Sequence, residues 1–335
     1  MEKTVFRIGD RWGWLLVMLL LFLASCDRRE LTYYMESEIT VPADWSCAGQ
    51  EEECDYGATL VIYPQDGSRP KVVLMGEREK TTVRLPEGRY DAVLFNRSFS
   101  DFGCIIFRGH EILESLEACA RQVETRASTR VIVSSPEKLA AATLRDFEVT
   151  ESMLGNYAPP VSRNTACPAG ACAMHFVPAP LTRRIEVELH VDGLNNVREA
   201  RCTLGGVPFS VFLHDGSVGE ELCAQEFRVG NPVLDVDSWQ NGTLTGELNV
   251  FGFDKDMLHE MKLITLLVDG KTVVERTLQD VRVTESTDGN GVITLSVSAA
   301  TAEPLPDVKP EGGSDSGFDA DVEEWGEETK TEIPI

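Results

Sequence analysis

The sequence has little positive charge: 31 Lys and Arg face 55 Asp and Glu, for a net charge of −24. An acidic chain repels phosphate, which argues against a nucleic-acid partner. No run of apolar residues reaches the roughly 18 that a membrane-spanning helix needs. The five histidines are scattered, and no nucleophile elbow, phosphate loop, dinucleotide fingerprint or paired-histidine motif occurs. These absences predict a protein without catalytic activity, cofactor or metal.

The first 26 residues indicate export. Lys3, Arg7 and Arg11 precede an apolar run over residues 14–24, which is the pattern of a secretory signal peptide. The run ends in Leu23-Ala24-Ser25-Cys26, which resembles the bacterial lipobox. We therefore predict that residues 1–25 are removed and that Cys26 is acylated, so that the chain is anchored to a membrane without spanning it. The alternative is an ordinary cleaved signal whose cysteine joins a disulfide.

Eight further cysteines favour an oxidising compartment. Read in order, they predict four local disulfides: Cys47–Cys54, Cys104–Cys119, Cys167–Cys172 and Cys202–Cys223. Eight cysteines allow about 105 pairings, so sequential pairing is only the short-loop solution. Cys167 and Cys172 could also form half of a zinc site, but no second ligand pair follows at a matching spacing.

Short apolar segments separated by Gly and Pro predict an all-β chain with two antiparallel sandwiches, over residues 26–158 and 172–300. Residues 184–191 alternate apolar and polar side chains most clearly. One short helix is predicted from Ser135-Pro136-Glu137, an N-terminal capping pattern, to Leu144. Residues 111–122 fit either a helix or a strand. The boundary lies in the breaker-rich stretch between the two sandwiches.

Residues 301–335 form an acidic tail, which is typical of a solvated segment. Its apolar residues, Trp325 among them, favour a short terminal strand that docks on a sheet edge. Trp45, Trp239 and Trp325 could line an aromatic platform for a sugar, although isolated Trp residues in sandwiches more often pack in the core.

Several segments occur in the order found in a known family: Cys26–Leu31, Asp44–Ser46, Tyr63–Gly67, Leu85–Tyr90 and Phe95–Asn96. The chain thereby resembles the fimbrillin-like lipoproteins of Bacteroidales, and more narrowly a subgroup known only as a domain of unknown function. The resemblance is clearest over residues 26–110. It implies two transthyretin-like Greek-key sandwiches and a lipid-anchored location at the outer membrane, with surface display.

The resemblance also implies assembly with pilin subunits. In pilus-forming members, an arginine-specific protease removes the first strand, and a strand of a neighbouring subunit fills the groove by β-addition. Here the first strand is predicted near residues 31–41. Arg28 and Arg29 precede it, while Arg89 and Arg97 belong to the presumed sheet and loop. The leading hypothesis is a structural or adhesive pilus component, anchor or tip; the alternative is a lipoprotein that captures a host ligand, glycan or nutrient.

Overall fold

The computed structural model describes residues 33–49, 56–123, 132–154, 156, 173–254, 257–287 and 293–310. Within these ranges the chain forms strands and short 3₁₀ turns, so the prediction of an all-β protein is confirmed there. The strands are β1 Glu36–Pro42, β2 Ala58–Pro64, β3 Lys71–Met75, β4 Lys80–Pro86, β5 Gly88–Asn96, β6 Ile105–Arg108, β7 Glu117–Ala120, β8 Ile132–Ser134, β9 Ala140–Val149, β10 Ala179–Pro180, β11 Arg183–Val191, β12 Val197–Pro208, β13 Ser210–Phe212, β14 Leu222–Asp235, β15 Ser238–Val250, β16 Met261–Leu267, β17 Val273–Thr287 and β18 Ile293–Thr301. The 3₁₀ turns are Leu113–Ser115, Glu151–Leu154 and Leu194–Asn196.

Two sheets enclose the N-terminal core. The larger has the order β10-β9-β5-β2-β3, and the smaller pairs β1 with β4. Successive side chains of a strand point to opposite faces. The larger sheet is apolar on both faces, because Leu60 and Ile62 of β2 pack toward the β1–β4 sheet, whereas Val61 and Tyr63 pack on the opposite side. A continuous apolar strand such as β2 is the expected sequence for a sheet covered on both faces.

The C-terminal strands close into a ring of seven. Their order is β12-β16-β17-β18-β11-β15-β14, and β14 pairs again with β12. The length of β14 makes this closure possible: residues 222–229 pair with β12, and residues 229–235 pair with β15. Closure removes free strand edges. The structure thus has a closed ring in the place of the predicted second sandwich.

Strands on either side of the predicted domain boundary share sheets. β8 pairs in parallel with Ala224–Glu226 of β14, and β7 pairs with β13. Ser135 Oγ accepts a hydrogen bond of 2.8 Å from the backbone N–H of Asn249. One apolar core runs through this junction, since Val93 and Phe95 of β5 belong to the same buried cluster as the interior of the ring. The boundary itself lies outside the described residues.

The predicted helix over residues 135–144 is wrong. Residues 140–149 form β9, which pairs with β5 over most of its length. The side chain of Asn96 fixes the start of β9: its Oδ1 accepts from Ala140 N at 2.8 Å, and its Nδ2 donates to Lys138 O at 2.9 Å. Pairing partners distant in sequence therefore override a local helix signal. In the ambiguous segment 111–122, the structure has the turn Leu113–Ser115 and then β7.

Candidate functional site

The first strand, β1, lies in a fixed register against β4, with Glu36 opposite Pro86 and Pro42 opposite Lys80. Its side chains alternate as an amphipathic strand requires. Ser37, Ile39 and Val41 are buried, while Glu36 and Glu38 are exposed. The first strand predicted near residues 31–41 is thus present over residues 36–42, and it contributes one face of the N-terminal core.

The second edge of β1 is also covered. Met174 N donates to Thr40 O at 2.9 Å, and Phe176 N donates to Pro42 O at 3.1 Å. Near the start of the strand, Ser37 Oγ donates to Met153 O at 2.9 Å. Residues 153, 174 and 176, which follow the N-terminal sheets in the chain, therefore hold β1, and on this second edge the carbonyls of Thr40 and Pro42 are hydrogen-bonded.

A groove would open if β1 were removed. The side chains that share a buried apolar cluster with β1 come from both N-terminal sheets and from residues 174 and 176: Leu60, Ile62, Met75, Val83, Leu85, Leu94, Val149, Met174 and Phe176. Such a groove could accept another strand by main-chain pairing, with pockets for alternate side chains. In this structure, β1 of the same chain occupies the groove.

The arginines are unfavourably placed for cutting directly after β1. Residues 43–68 contain neither Arg nor Lys. Arg89 lies within β5, a central strand of the larger sheet. Arg97 follows β5 at a φ of 65°, and its guanidinium carbon lies 4.3 Å from the ring centroid of Tyr56. Arg28 and Arg29 lie outside the described residues.

The lipid-attachment residue predicted from the sequence, Cys26, lies outside the described residues, as do Trp325 and the rest of residues 311–335. In the described part of the chain, no helix is long and apolar enough to cross a membrane. The predicted signal peptide and terminal strand stay predictions.

The structure does not form two of the predicted disulfides. Cys104, Cys119, Cys202 and Cys223 are free. In the β12–β14 register Cys202 lies opposite Phe227, four positions from Cys223, which separates the two cysteines by about 14 Å along the strand. Cys119 lies opposite Ile106, so Cys104 is a diagonal neighbour about 8 Å away, beyond the reach of an unstrained disulfide. Cys47 is free and exposed; Cys54, Cys167 and Cys172 lie outside the described residues.

Four of the free cysteines have raised pKa values, which argues against a reactive thiol at these positions. Burial raises the pKa of Cys119, Cys202 and Cys223 to about 12 in each case, and the carboxylate of Glu117 adds to the effect at Cys119. Burial likewise raises the pKa of Cys104. A thiol attacks as its thiolate, so these four side chains pack as small apolar groups. Among the described residues, no group of three or more His, Cys, Asp and Glu could hold a metal ion.

Of the three Trp residues predicted as a possible aromatic platform, the structure describes Trp45 and Trp239, and their surroundings differ. Trp45 is 9% exposed; its Nε1 donates to Arg78 O at 2.8 Å, and the Arg78 guanidinium covers its ring at 4.8 Å. Trp239 lies at the start of β15 and is 80% exposed. Trp45 therefore packs in the N-terminal core, while Trp239 is on the surface of the ring. Val233 and Val236, near Trp239 in the sequence, are exposed as well. The sequence does not predict this exposure, because the positions of apolar residues along a strand do not show whether another element covers them.

Known proteins resemble this chain in sequence. The family model described as Domain of unknown function (DUF5119) matches residues 25–228. A Bacteroides ovatus protein assigned as fimbrium anchoring subunit Fim4B is 27% identical over 148 residues. That match covers 43% of this chain, and the chain spans 43% of the length of that relative.

Solved structures resemble it in fold. The crystal structure of a Bacteroides ovatus protein assigned as an adhesin has a TM-score of 0.53 at 17% identity, over 76% of this chain and 86% of that one. The fimbrial anchor protein Mfa2 from Porphyromonas gingivalis has a TM-score of 0.43 at 12% identity, over 79% of this chain and 90% of that one. The first of these likenesses shows a shared fold.

Proposed function

The chain belongs to the family described as Domain of unknown function (DUF5119), and from that premise we propose that it is a fimbrillin-like lipoprotein that anchors a pilus to the outer membrane. The assignment of a partial relative as a fimbrium anchoring subunit supports this role. The proposal comprises acylation at Cys26, a location on the cell surface and a structural role without catalysis.

The state of β1 carries the anchor proposal. A shaft subunit must lose its first strand to accept the strand of a neighbour. Here β1 is hydrogen-bonded along β4 and by residues 174 and 176 on its other edge. No arginine follows β1 before the exposed Arg69, so an arginine-specific protease could not remove β1 without also removing β2, which ends at Pro64. A subunit that keeps its first strand ends a fibre and does not extend it.

Charge favours a body held away from the lipid. Removal of residues 1–25 leaves the mature chain near −25, because the removed segment carries three basic and two acidic side chains. An acyl chain at Cys26 would tether this body, while anionic headgroups would repel it.

The lipid anchor is tested by substitution of Cys26. We expect Cys26→Ala to release fimbriae into the culture medium, because the membrane attachment is lost while the fibre still assembles. Cys47→Ala is the matched control, since Cys47 is a free, exposed cysteine near the start of the same chain. Fimbriae that stay cell-bound in the Cys26→Ala strain would refute the anchor role.

The intact first strand is tested on gels of native outer membranes, loaded with and without boiling. An anchor that keeps β1 gives discrete bands for this protein and no repeating ladder of its own. A ladder that boiling dissolves, and whose bands have lost residues 36–42, would make the protein a polymerising shaft subunit instead.

A further inference from the structure

An exposed apolar hairpin extends from the C-terminal ring. β14 and β15 are joined by a two-residue turn, Val236-Asp237, and Asp235 pairs with Ser238 across it. Val236 is 93% exposed, Trp239 80% and Val233 63%. Neighbouring Leu234 is 40% exposed. Four large apolar side chains are thus exposed within residues 233–239, around one turn, and clustered exposed apolar side chains in soluble proteins mark interaction sites. We call residues 233–239 the apolar tip.

The apolar tip is held in place at its base. The β14–β15 register shifts between Leu234, which pairs with Gly242, and Asp235, which pairs with Ser238. The extra residues on β15 form a bulge that includes Trp239, and bulges commonly redirect a side chain. Asn241 Oδ1, from the same bulge, accepts from Gly193 N at 3.2 Å. A Trp on a backbone held in this way has only two side-chain torsions to order on binding, which favours its use as an anchor residue.

The apolar tip lies far from the N-terminal half. Asn249, near the end of β15, bonds with Ser135 at the junction, whereas Ser238 begins the same strand. Eleven residues of strand separate them, a distance of up to about 36 Å when fully extended. The membrane tether precedes β1 in the N-terminal half, so the tip is remote from the part of the chain that the lipid holds.

The acidic residues around the apolar tip favour a partner with a basic surface. Asp235 and Asp237 flank Val236, and Asp192 adjoins Gly193 on the loop that fastens Asn241. The whole chain carries −24, so a second copy would be repelled. Anionic lipid would be repelled for the same reason. The complementary surface is therefore an apolar cleft with Lys or Arg at its rim.

We propose that the apolar tip is the docking site for a fimbrial subunit, which receives Val236 and Trp239 in an apolar cleft and pairs its basic rim with Asp235 and Asp237. This inference rests on the proposed function, since it names a fimbrial subunit as the occupant. It assigns the contact to side chains of the C-terminal ring, whereas strand addition would use the backbone of the N-terminal sheet.

The test measures binding of the mature full-length protein, in detergent, to immobilised fimbriae sheared from cells that carry this gene. We expect Trp239→Ser and Val236→Ser together to weaken binding at least tenfold, since a central Trp is a frequent hot spot. Asp235→Lys with Asp237→Lys should also weaken it, and rising salt should weaken binding of the unsubstituted protein. Leu258→Ser is the matched control: Leu258 is 95% exposed on the connection after β15, and binding should stay within about twofold.

Each outcome decides between the two proposals. If the unsubstituted protein binds fimbriae and the apolar-tip variants bind equally well, the inference is overturned and the anchor role stands. If the unsubstituted protein does not bind fimbriae, both are overturned. If the Ser variants fail while the Lys variants and salt have no effect, the basic rim is wrong. Thermal unfolding midpoints near that of the parent protein exclude misfolding as the cause.

Discussion

Ile39 of β1 lies directly opposite Val83 of β4, and the side chain of Ile39 is completely buried. Five other residues of the N-terminal core close around this pair from the larger sheet: Leu60, Ile62, Ala92, Leu94 and Val149. The first strand is thus a packed part of the fold, and its stability should depend on the buried residues far more than on the exposed ones.

Truncation of Ile39 should measure how firmly β1 is held. We expect Ile39→Ala to lower the free energy of unfolding by about 3 kcal/mol, because it removes buried methyl groups and leaves a cavity. Glu38→Ala, on the exposed face of the same strand, should change it by less than about 0.5 kcal/mol. Urea denaturation measures both. Equal effects of the two substitutions would mean that β1 is not packed as described.

The base of the apolar tip should depend on Gly242. A Cβ there would lie 2.2 Å from Val233 O, so the backbone of β14 or β15 must move. We expect Gly242→Ala to lower the free energy of unfolding by about 1–3 kcal/mol. It should also weaken fimbrial binding, as the tip is displaced. Gly230→Ala is the control, because a Cβ at Gly230 has no heavy atom within 4 Å. Tolerance of both substitutions would contradict the close approach of the two strands.

The free thiols can be mapped chemically. Alkylation of the folded protein at pH 8 should label Cys47, which is exposed, within minutes. It should not label Cys202, because burial raises the pKa of that thiol to about 12 and blocks access. Denaturant should make Cys202 reactive. Mass spectrometry of a non-reduced digest identifies which cysteines carry the label. A disulfide-linked peptide that contains Cys202 and Cys223 would contradict the strand register.

The ion pair between Arg145 and Glu114 gives a pH-dependent prediction. The hydrogen bond from Arg145 holds the pKa of Glu114 below its ordinary value of 4.5. A depressed carboxyl pKa stabilises the fold above pH 4.5, and this contribution is lost as the pH falls through the folded-state pKa. We expect Arg145→Met to raise the pKa of Glu114 toward 4.5 and to flatten the decline in stability on acidification.

An NMR titration of the Glu114 side chain checks the direction of this change. Arg89→Met serves as its control: Arg89 faces Glu148 at 3.9 Å on the surface of the larger sheet, so the pKa of Glu114 should not respond. An unchanged pKa in the Arg145→Met variant would show that the ion pair does not govern it.

Local pattern determined much of the strand content. The alternation in residues 184–191 predicts β11, because alternate side chains of a half-buried strand face the core. The apolar run at residues 59–63 predicts β2, because a strand covered on both faces has apolar residues at successive positions. Residues 281–284 and 292–298, separated by the turn residues 288–291, likewise predict the pairing of β17 with β18. The register runs from Leu278 opposite Thr301 to Thr287 opposite Ile293. These elements follow from short-range chemistry and need no knowledge of the rest of the chain.

Two other strands, β9 and β14, depend on hydrogen-bonding partners distant in the sequence, which the local residue pattern does not reveal. Residues 140–149 include three alanines and follow the capping signal at residues 135–137, yet they form a strand because β5 and β10 supply its hydrogen bonds. The segment 222–235 is interrupted by Gly230, Asn231 and Pro232 and gives little local strand signal, yet it closes the ring between β12 and β15.

For the candidate site, the sequence by itself predicts a lipobox at residues 23–26, and it determines the amphipathic pattern of the first strand and the absence of arginine over residues 43–68. Only the tertiary structure decided that β1 is covered on both edges, that Trp45 is buried and that Trp239 is exposed beside Val236. The physical reason is that burial depends on which strands meet in space, and the sequence of one strand does not specify its neighbours.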